Sequence, residues 1–389
     1  MRRTWAEIDL DALEHNYRVA RQKIGPGVKY LGVVKADAYG HGAVPVSRAL
    51  ADLGAEYLAV SNLEEAVQIR RGEVRLPILI LGYTPAEYAA NMIFLDITQE
   101  VHSLEYAREL NEALAGTNYI LNVHLKLDTG MTRIGFFAYD NERTLDELRQ
   151  VAQLPHLHIE GVFMHFCVAD SRAEADVSFT KLQYKRFMDM LSAMAGVGIR
   201  PEIRHCCNSG ATILYPEFAL DMVRPGIITY GNAPSDELEG ALSLRPMMSL
   251  HSMIAQVRTV PAGTDISYGR LYRTKEETRV AVLPIGYADG LSRLLTGKAS
   301  FYLQGHQVPV IGRICMDMCM IDVSGVPEAK PGDVVTIFGY DDDGTLLPCE
   351  RLARAQGTIN YELLCQISKR IPRICHRGAE TSQILQYIV

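Results

Sequence analysis

Short apolar runs alternate with amphipathic stretches through roughly the first 230 residues. Stretches such as NLEEAVQIRRG and SLEYARELNEALAG have helical periodicity and end in glycine, a common helix stop. The apolar runs are the strand candidates: KYLGVV, YLAV, PILIL, IFLDI, YILNVHLKL, HIEGVFMHF, EIRHC and LDMV. Continuous apolar strands separated by helices indicate a parallel sheet covered on both faces. Eight such units predict an α/β fold, the (β/α)8 TIM barrel. An open doubly wound sheet is the alternative, but no GxGxxG motif follows the first strand.

Beyond about residue 240 the pattern changes to strand-like runs separated by turn signals such as Pro-Ala-Gly and Asp-Asp-Gly. The sequence therefore predicts two domains, a barrel over 1–240 and a mainly β domain over 241–389. The segment LPCERLARAQGTINYELLCQIS is expected to supply the helices of the second domain. The tail after Arg373 has no assignable role, and we expect a disordered or dimer-edge terminus.

Composition narrows the class of protein. The chain has 389 residues, 48% hydrophobic and 22% charged, with a net charge of −7, which argues against nucleic acid or an anionic membrane as the partner. No apolar run approaches the roughly 20 residues that span a bilayer. The amino terminus has two arginines but no apolar stretch behind them, so we expect no signal peptide and a cytoplasmic protein. The eight cysteines form no CxxC pair and are expected to be reduced, buried thiols rather than disulfides.

Candidate chemistry gathers at the carboxyl ends of the predicted barrel strands, where barrel enzymes place their functional residues. Each residue alone has an ordinary interpretation, as a solvated charge, a core histidine or a salt bridge. Their convergence on one rim favours a functional site. The residues are Lys35 after strand 1, Arg133 after strand 5, His165 on strand 6, Asn208 and Ser209 after strand 7, and Arg224 closing strand 8.

The loops after strands 7 and 8 are NSGAT and RPGII, a common place for a barrel to bind phosphate. They offer the Ser209 hydroxyl and the backbone N–H groups of Gly226 and Ile227, although Ser209 could equally be a helix N-cap. A lysine able to form a Schiff base together with a phosphate cradle is what pyridoxal phosphate requires. No metal site is predicted.

At this point the sequence resembles a known family. VKADAYGHG is similar to the cofactor-lysine signature of the alanine racemases, which are fold-type III pyridoxal phosphate enzymes. Further blocks occur in family order and cover the chain from end to end: TWAEIDLDALEHN, KLDTGMTRIGF, MHFCVADS, NSGATIL, MVRPGIITYG, ISYGRLY, LPIGYADG, GRICMDMCMIDV and TINYELLCQIS. The resemblance implies racemisation of L- and D-alanine, which supplies D-alanine for cell-wall peptidoglycan.

The resemblance also implies a two-base mechanism. Lys35 would hold the cofactor covalently and act as the base for D-alanine, and Tyr268 would be the base on the opposite face for L-alanine. In the family this tyrosine comes from the partner subunit, so a homodimer with shared active sites is implied. His165, relayed to Arg224, would tune the tyrosine, and Arg224 would donate to the pyridine nitrogen and keep it uncharged.

The remaining roles also follow from the resemblance. Arg133 would bind the substrate carboxylate and the cofactor's phenolic oxygen, and Lys126 matches a lysine that is often carbamylated. Met316 and Tyr287 match substrate-binding residues from the partner subunit. The other cofactor-binding positions are Tyr39, Asn208, Ser209, Gly226, Ile227 and Tyr361. Thr132 and Cys167 depart from the family, which often has glycine and alanine there.

Several alternatives stay open. An aromatic residue at Tyr361 leaves room for a methyl side chain and favours alanine, whereas a racemase of broader or serine specificity would share the fold. A basic amino acid decarboxylase would need a Gly-rich phosphate loop that we do not find. Metal-dependent relatives would need a spaced His/Cys pair, but Cys375 and His376 are adjacent. A non-catalytic pyridoxal phosphate carrier would lack Tyr268 and the second domain.

Overall fold

A computed structural model of the protein describes residues 3–139 and 141–387. The chain divides into two compact units. We call them the barrel unit, Glu14–Ala38 and Ala43–Leu244, and the β unit, Met1–Leu13, Tyr39–Gly42 and Arg245–Val389. The first thirteen residues and the short segment Tyr39–Gly42 therefore belong to the β unit, although they lie far from its main segment in sequence.

The barrel unit contains a nine-stranded sheet in which eight parallel strands close into a ring, which confirms the predicted TIM barrel. The remaining strand, Phe136–Phe137, pairs parallel with the end of the fifth strand of the ring. Neighbouring strands pair in order around the barrel, and pairing of β4 with β5 and of β8 with β1 closes the ring. The strands are β1 Lys29–Val33, β2 Tyr57–Val60, β3 Ile78–Ile80, β4 Ile97–Val101, β5 Leu121–Asp128, β6 Leu157–Phe163, β7 Ile203–His205 and β8 Met222–Val223.

Helices follow the strands along the chain. They are Ala43–Asp52, Leu63–Arg71, Ala89–Phe94, Leu104–Ala113, Asn141–Val151, Glu174–Gly196 and Ser209–Leu214, and Leu10–Ile24 precedes β1. The prediction of a strand over IFLDI was wrong. Its first two residues end the helix Ala89–Phe94, Phe94 is exposed, and the strand begins only at Ile97. A short apolar run does not by itself distinguish a helix end from a strand.

The β unit is built on an eleven-stranded sheet, which confirms the mainly β second domain. Strand Thr4–Asp9 pairs antiparallel with Met248–Met253 and parallel with Arg373–Arg377. The other strands of this sheet are Gln256–Val260, Thr278–Leu283, Ser300–Leu303, His306–Ile311, Cys319–Asp322, Val334–Tyr340, Leu346–Leu347 and Glu380–Leu385. Asp265–Ile266 and Tyr272–Arg273 form a separate two-stranded sheet.

The two helices of the β unit, Cys349–Gln356 and Asn360–Gln366, lie within the segment predicted to supply them. Of the two expectations for the tail, disorder was wrong, because Arg373–Arg377 and Glu380–Leu385 form an antiparallel hairpin within the sheet. The dimer-edge alternative stays a prediction. All eight cysteines are free thiols, but Cys167 and Cys365 are exposed rather than buried. No helix in the described part of the chain is long and apolar enough to cross a membrane.

Candidate active site

Lys35 lies at the carboxyl end of β1 and begins a short helical turn, Lys35–Tyr39. The turn is left-handed, since the four residues from Ala36 to Tyr39 have φ values of 52° to 54° and none is glycine. Left-handed helical backbone costs L residues about 1–2 kcal/mol each. Such strain persists only where the surrounding structure holds it, and it is found most often at functional sites.

Hydrogen bonds within the barrel unit hold this turn. The N–H of Ala36 donates to Glu65 Oε1 at 2.8 Å, and the N–H of Ala43 donates to Asp37 Oδ1 at 2.8 Å. Asp37 thus ties the turn to the start of the helix Ala43–Asp52. Glu65, on the helix Leu63–Arg71, was not singled out from the sequence, because its contact with the turn depends on two elements packing together.

Arg224 follows β8 directly and is buried, with a side chain fixed by hydrogen bonds inside the barrel unit. Its Nη1 donates to His205 Nδ1 at 2.9 Å, and its Nη2 donates to the carbonyls of Met164 at 2.7 Å and Cys206 at 3.1 Å. Burial lowers the pKa of Arg224 to about 10, so the guanidinium remains charged at neutral pH. A fixed buried cation of this kind is typical of a binding site for a polar ligand.

His165 lies two residues beyond β6, and its Nδ1 is 3.4 Å from Arg224 Nη2. Burial, followed by the charges of Arg224, Lys126, Arg133 and Lys35, holds the pKa of His165 well below its ordinary value. The imidazole is therefore neutral at pH 7. Three of these residues, Lys35, Arg133 and Arg224, were predicted at the strand ends together with His165, and all three lower its pKa.

Lys126 is buried on β5, and its Nζ donates to the carbonyl of Leu127 at 3.0 Å. Burial, with the neighbouring charges of Arg224 and Arg133, lowers its pKa to about 7, and Asp128 and Glu100 only partly offset this. About half of the amine is then uncharged at neutral pH.

The loop that carries Arg133 is shaped by Asp128 at the end of β5. Asp128 Oδ1 accepts the N–H groups of Gly130, Met131 and Thr132, each at 3.0 Å. Thr132 has a φ of 55°, a conformation that favours glycine, so the glycine that the resemblance implies at this position would fit the backbone without strain.

The phosphate-loop candidates meet after β7 and β8. Ser209 is buried, and its Oγ accepts the N–H of Gly226 at 2.9 Å; Ile227 begins the next helical turn. The alternative of Ser209 as an N-cap was wrong. Asn208 caps the helix instead, because its Oδ1 accepts the N–H of Ala211 at 3.0 Å.

In the β unit, Tyr268, Met316 and Tyr287 belong to one group of loops. Ser267, which precedes Tyr268 with a φ of 65°, donates its hydroxyl to the Arg313 carbonyl at 2.6 Å. The N–H of Tyr287 donates to the carbonyl of Cys315, next to Met316, at 3.0 Å. A cavity of about 700 Å³ includes in its lining Tyr268, Cys315, Met316, Asp317, Gln256 and Arg258.

Two other predicted residues of the β unit are also neighbours. The rings of Tyr39 and Tyr361 lie 5.9 Å apart between centroids. Burial raises the pKa of Tyr39, so its phenol is neutral. His41 Nδ1 lies 3.0 Å from the carbonyl oxygen of Tyr39 and so supports this segment of the chain.

Sequence reasoning missed residues that act on the predicted ones. His205 lies in the EIRHC strand and contacts Arg224, and Asp289 accepts the N–H of Gly286 at 3.1 Å beside Tyr287. His205 belongs to no motif and stands only at the end of a predicted strand, whereas Asp289 lies within the LPIGYADG block but was not singled out.

A (β/α)8 barrel with a lysine at the end of strand 1, buried cations at its strand ends and a hydroxyl and N–H pair after strands 7 and 8 is typical of barrel-type pyridoxal phosphate enzymes. Two family models match the chain: alanine racemase, N-terminal domain, over residues 8–234, and alanine racemase, C-terminal domain, over residues 247–375. The chain therefore belongs to the alanine racemase family.

Individual relatives agree with this assignment. The chain is 46% identical over 373 residues to an alanine racemase of Desulfovibrio desulfuricans, which covers 96% of this chain and 98% of the relative. It is similar to the structure of alanine racemase from Clostridium difficile 630, with 39% identity, a TM-score of 0.93 and full coverage of both chains. The structure of alanine racemase from Bacillus anthracis with bound L-Ala-P has 36% identity, a TM-score of 0.93 and coverage of 100% and 98%.

Proposed function

We propose that this protein is a pyridoxal phosphate-dependent isomerase that interconverts L- and D-alanine, and that it supplies D-alanine for peptidoglycan. The observation that carries the proposal is Lys35, held at the end of β1 by a strained turn, in a barrel whose last strand is followed by buried Arg224 with its Nη2 3.4 Å from His165 Nδ1. Family membership over both halves of the chain supports it.

The residues of the barrel unit fit the cofactor by the chemistry of their donors. Ser209, Gly226 and Ile227 offer a hydroxyl and backbone N–H groups for a phosphate, and Lys35 offers an amine for the aldehyde. Tyr39 and Tyr361, from the β unit, and Asn208 are further proposed ligands. When bound, pyridoxal phosphate supplies the electron sink that makes the α-proton of an amino acid removable.

Arg224 would donate a hydrogen bond to the ring nitrogen. Its two Nη atoms already donate to protein acceptors, so we assign this bond to its Nε–H. Because a guanidinium does not give up its proton, the ring nitrogen would remain neutral. A neutral ring withdraws electrons less strongly, which favours return of the proton over side reactions.

Racemisation needs a proton carrier on each face of the α-carbon, and we assign Lys35 and Tyr268 to these roles. One removes the proton at the α-carbon and the other delivers a proton to the opposite face. Neutral His165, bonded to Arg224, would relay the influence of that cation to Tyr268. Arg133, Met316 and Tyr287 would hold the substrate carboxylate.

Lys126 would carry a carbamate that positions Arg133. The proposal is supported by its burial and by a pKa lowered to about 7, because an uncharged amine is the form that takes up carbon dioxide. Protein prepared under ¹³C-labelled carbon dioxide should give a carbamate NMR signal that Lys126→Met lacks. Absence of the signal in both proteins would leave an unmodified lysine.

We propose that the enzyme is a homodimer in which Tyr268, Met316 and Tyr287 serve the partner's site. Support for the shared site comes from the exposure of all three side chains in the single chain. The domain limits at 1–240 and 241–389 stay a separate proposal. The cytoplasmic location stays a prediction.

The function is tested by deuterium exchange at the α-carbon of L- and D-alanine in deuterium oxide. The purified holoenzyme should exchange both enantiomers and convert each into the other. A bound cofactor without conversion would favour a non-catalytic carrier, and faster turnover of L-serine than of L-alanine would favour the serine alternative.

The shared site is tested by mixing two inactive variants, Lys35→Ala and Tyr268→Phe, under conditions that exchange subunits. If sites are shared, random mixing should restore roughly a quarter of wild-type activity, because half of the dimers are mixed and each has one intact site. Lys35→Ala mixed with Arg133→Ala is the control. Both of those substitutions fall in the barrel unit, so no intact site can form in any dimer with shared sites.

A further inference from the structure

A continuous chain of polar side chains runs through the interior of the barrel unit from buried Arg224 through buried His205 and His124 to partly buried Glu160. Arg224 Nη1 lies 2.9 Å from His205 Nδ1, and His205 Nε2 lies 2.8 Å from His124 Nδ1. His124 Nε2 lies 3.0 Å from Glu160 Oε2. The chain therefore connects the carboxyl ends of the strands, where Arg224 lies, with the amino-terminal half of the barrel.

The protons in this chain can have only one arrangement. A guanidinium can only donate, so His205 must present an unprotonated Nδ1 to Arg224. Burial, with the charge of Arg224, holds the pKa of His205 well below its usual value, and burial lowers that of His124, so both rings are neutral. Each then carries its single proton on Nε2. His205 donates to His124, and His124 donates to the carboxylate of Glu160.

Glu160 is the terminal acceptor and is itself held in place. Tyr57, the first residue of β2, donates its hydroxyl to Glu160 Oε1 at 3.0 Å, and Thr98 on β4 donates to Oε2 at 3.3 Å. Burial alone would raise the pKa of Glu160, but the hydrogen bonds from His124, Tyr57 and Thr98 keep it below its ordinary value. The carboxylate is therefore charged at neutral pH.

The packing of the strands is fitted to this chain. A Cβ at Gly161 would lie 2.5–2.6 Å from three atoms of the His124 ring, so only glycine at this position of β6 leaves room for the imidazole. The pairing of β5 with β6 shifts register between Val123 and His124. Phe163 stacks on His205 with ring centroids 5.0 Å apart and planes 9° from parallel. Both rings are thus fixed in orientation as well as in protonation.

We propose that Glu160 is a positioning residue for Arg224, acting through His124 and His205 from outside the candidate active site. The carboxylate fixes the Nε2 tautomer of His124, and this tautomer fixes that of His205, which leaves an acceptor facing the guanidinium. The inference rests on the proposed function only in what Arg224 does for catalysis. The order of donors and acceptors from Arg224 to Glu160 is a property of these four side chains and does not depend on catalysis.

The test compares three variants of the holoenzyme. Glu160→Met removes the acceptor at similar length, and Glu160→Gln keeps an oxygen. Tyr57→Phe is the matched control, since it removes a hydrogen bond to the same carboxylate but leaves every link from Arg224 to Glu160 in place. The first readout is the ¹⁵N NMR spectrum of histidine-labelled protein, in which protonated and unprotonated ring nitrogens have well separated shifts.

In wild type, Tyr57→Phe and Glu160→Gln, His205 and His124 should each show a protonated Nε2 and an unprotonated Nδ1. In Glu160→Met these shifts should change or become heterogeneous. The kcat for alanine should fall about 10-fold with little change in KM, since Glu160 is remote from the substrate and substitutions behind a functional side chain cost about 10- to 100-fold. Glu160→Gln should retain most activity.

Wild-type histidine shifts together with wild-type kcat in Glu160→Met would overturn the inference. So would equal losses of kcat in Glu160→Met and Tyr57→Phe, which would indicate a general loss of packing. If the wild-type protein did not racemise alanine but its His205 and His124 were both protonated on Nε2, the proposed function would be wrong. The inferred order of donors and acceptors from Arg224 to Glu160 would still hold.

Discussion

Functional residues of the two units differ in how far their side chains are exposed to solvent. In the barrel unit, Arg224 and Lys126 are each 3% exposed and are held by hydrogen bonds to protein atoms. In the β unit, Tyr268 is 70% exposed and Met316 is 52% exposed. Arg224 and Lys126 are therefore fixed before any ligand arrives, whereas Tyr268 and Met316 stand on an open face.

This difference separates two kinds of role. Buried charged groups are expensive unless their partners are preformed, so the barrel unit must complete its polar network during folding. A large exposed aromatic beside exposed methionines is more typical of a surface that meets another molecule. The contrast supports a site whose second proton carrier is supplied to another copy of the chain.

The largest effect is expected at Lys35. Lys35→Ala should abolish covalent cofactor binding and reduce racemisation by more than the 10²- to 10⁴-fold that loss of a positioned base alone produces. The visible absorption band of the covalently held cofactor and the rate of L-alanine conversion are the measurements. Lys29→Ala, at the opposite end of β1, should keep both. Retained activity in Lys35→Ala would contradict the assignment of Lys35 as cofactor-binding residue and base.

Tyr268→Phe tests the other side of the comparison. Conversion should fall by about 10²- to 10⁴-fold, the usual contribution of a general base, while cofactor absorption is unchanged. Deuterium exchange should be lost from L-alanine and persist for D-alanine. Tyr272→Phe, on the neighbouring strand, is the control. Loss of exchange from both enantiomers alike would contradict the assignment of separate faces.

Gly161→Ala probes how tightly the barrel interior is fitted. The added Cβ meets the His124 ring at 2.5 Å, so overpacking should lower the free energy of unfolding by about 1–3 kcal/mol. Urea titration measures this change in the free energy of unfolding. Gly196→Ala, whose Cβ would have nothing within 4 Å, should be neutral or slightly stabilising. Equal stability of the two variants would show that the barrel interior accommodates the added Cβ without loss of stability.

The pH dependence of stability tests the burial of Lys126. Its folded pKa of about 7 lies below the ordinary 10.5, so the unfolded chain binds more protons between these values and stability rises with pH. In buffer free of carbon dioxide, wild type should gain about 2 kcal/mol relative to Lys126→Met between pH 7 and 9. Below pH 7 the full penalty remains, and above 10.5 it vanishes. Parallel curves for the two proteins would mean that the lysine is solvated.

The smallest effect is expected at Thr132, in the loop that carries Arg133. Glycine adopts a φ of 55° without strain, so Thr132→Gly should be more stable than Thr132→Ala by about 0.5–1 kcal/mol. Comparing these two variants in thermal unfolding removes the contribution of the lost hydroxyl. If alanine proved the more stable residue, strain at this position would be negligible.

The sequence predicted the barrel because eight buried parallel strands leave a strong pattern of apolar runs. It also predicted that Lys35, Arg133 and Arg224 follow strands 1, 5 and 8, as they do in the structure. It failed at IFLDI, where an exposed helix end mimics a strand, and at the carboxyl-terminal hairpin, whose alternation is interrupted by charged and small residues.

By itself, then, the sequence determined the fold class, the rim of candidate residues and the chemistry of their side chains, because these depend on local pattern and residue type. Only the tertiary structure decided that Thr4–Asp9 joins the β unit, that Asn208 rather than Ser209 caps its helix, and that Arg224 is linked to Glu160. The physical reason is that hydrogen bonds and burial depend on distances between residues far apart in the chain. Those distances exist only once the strands have closed into a barrel.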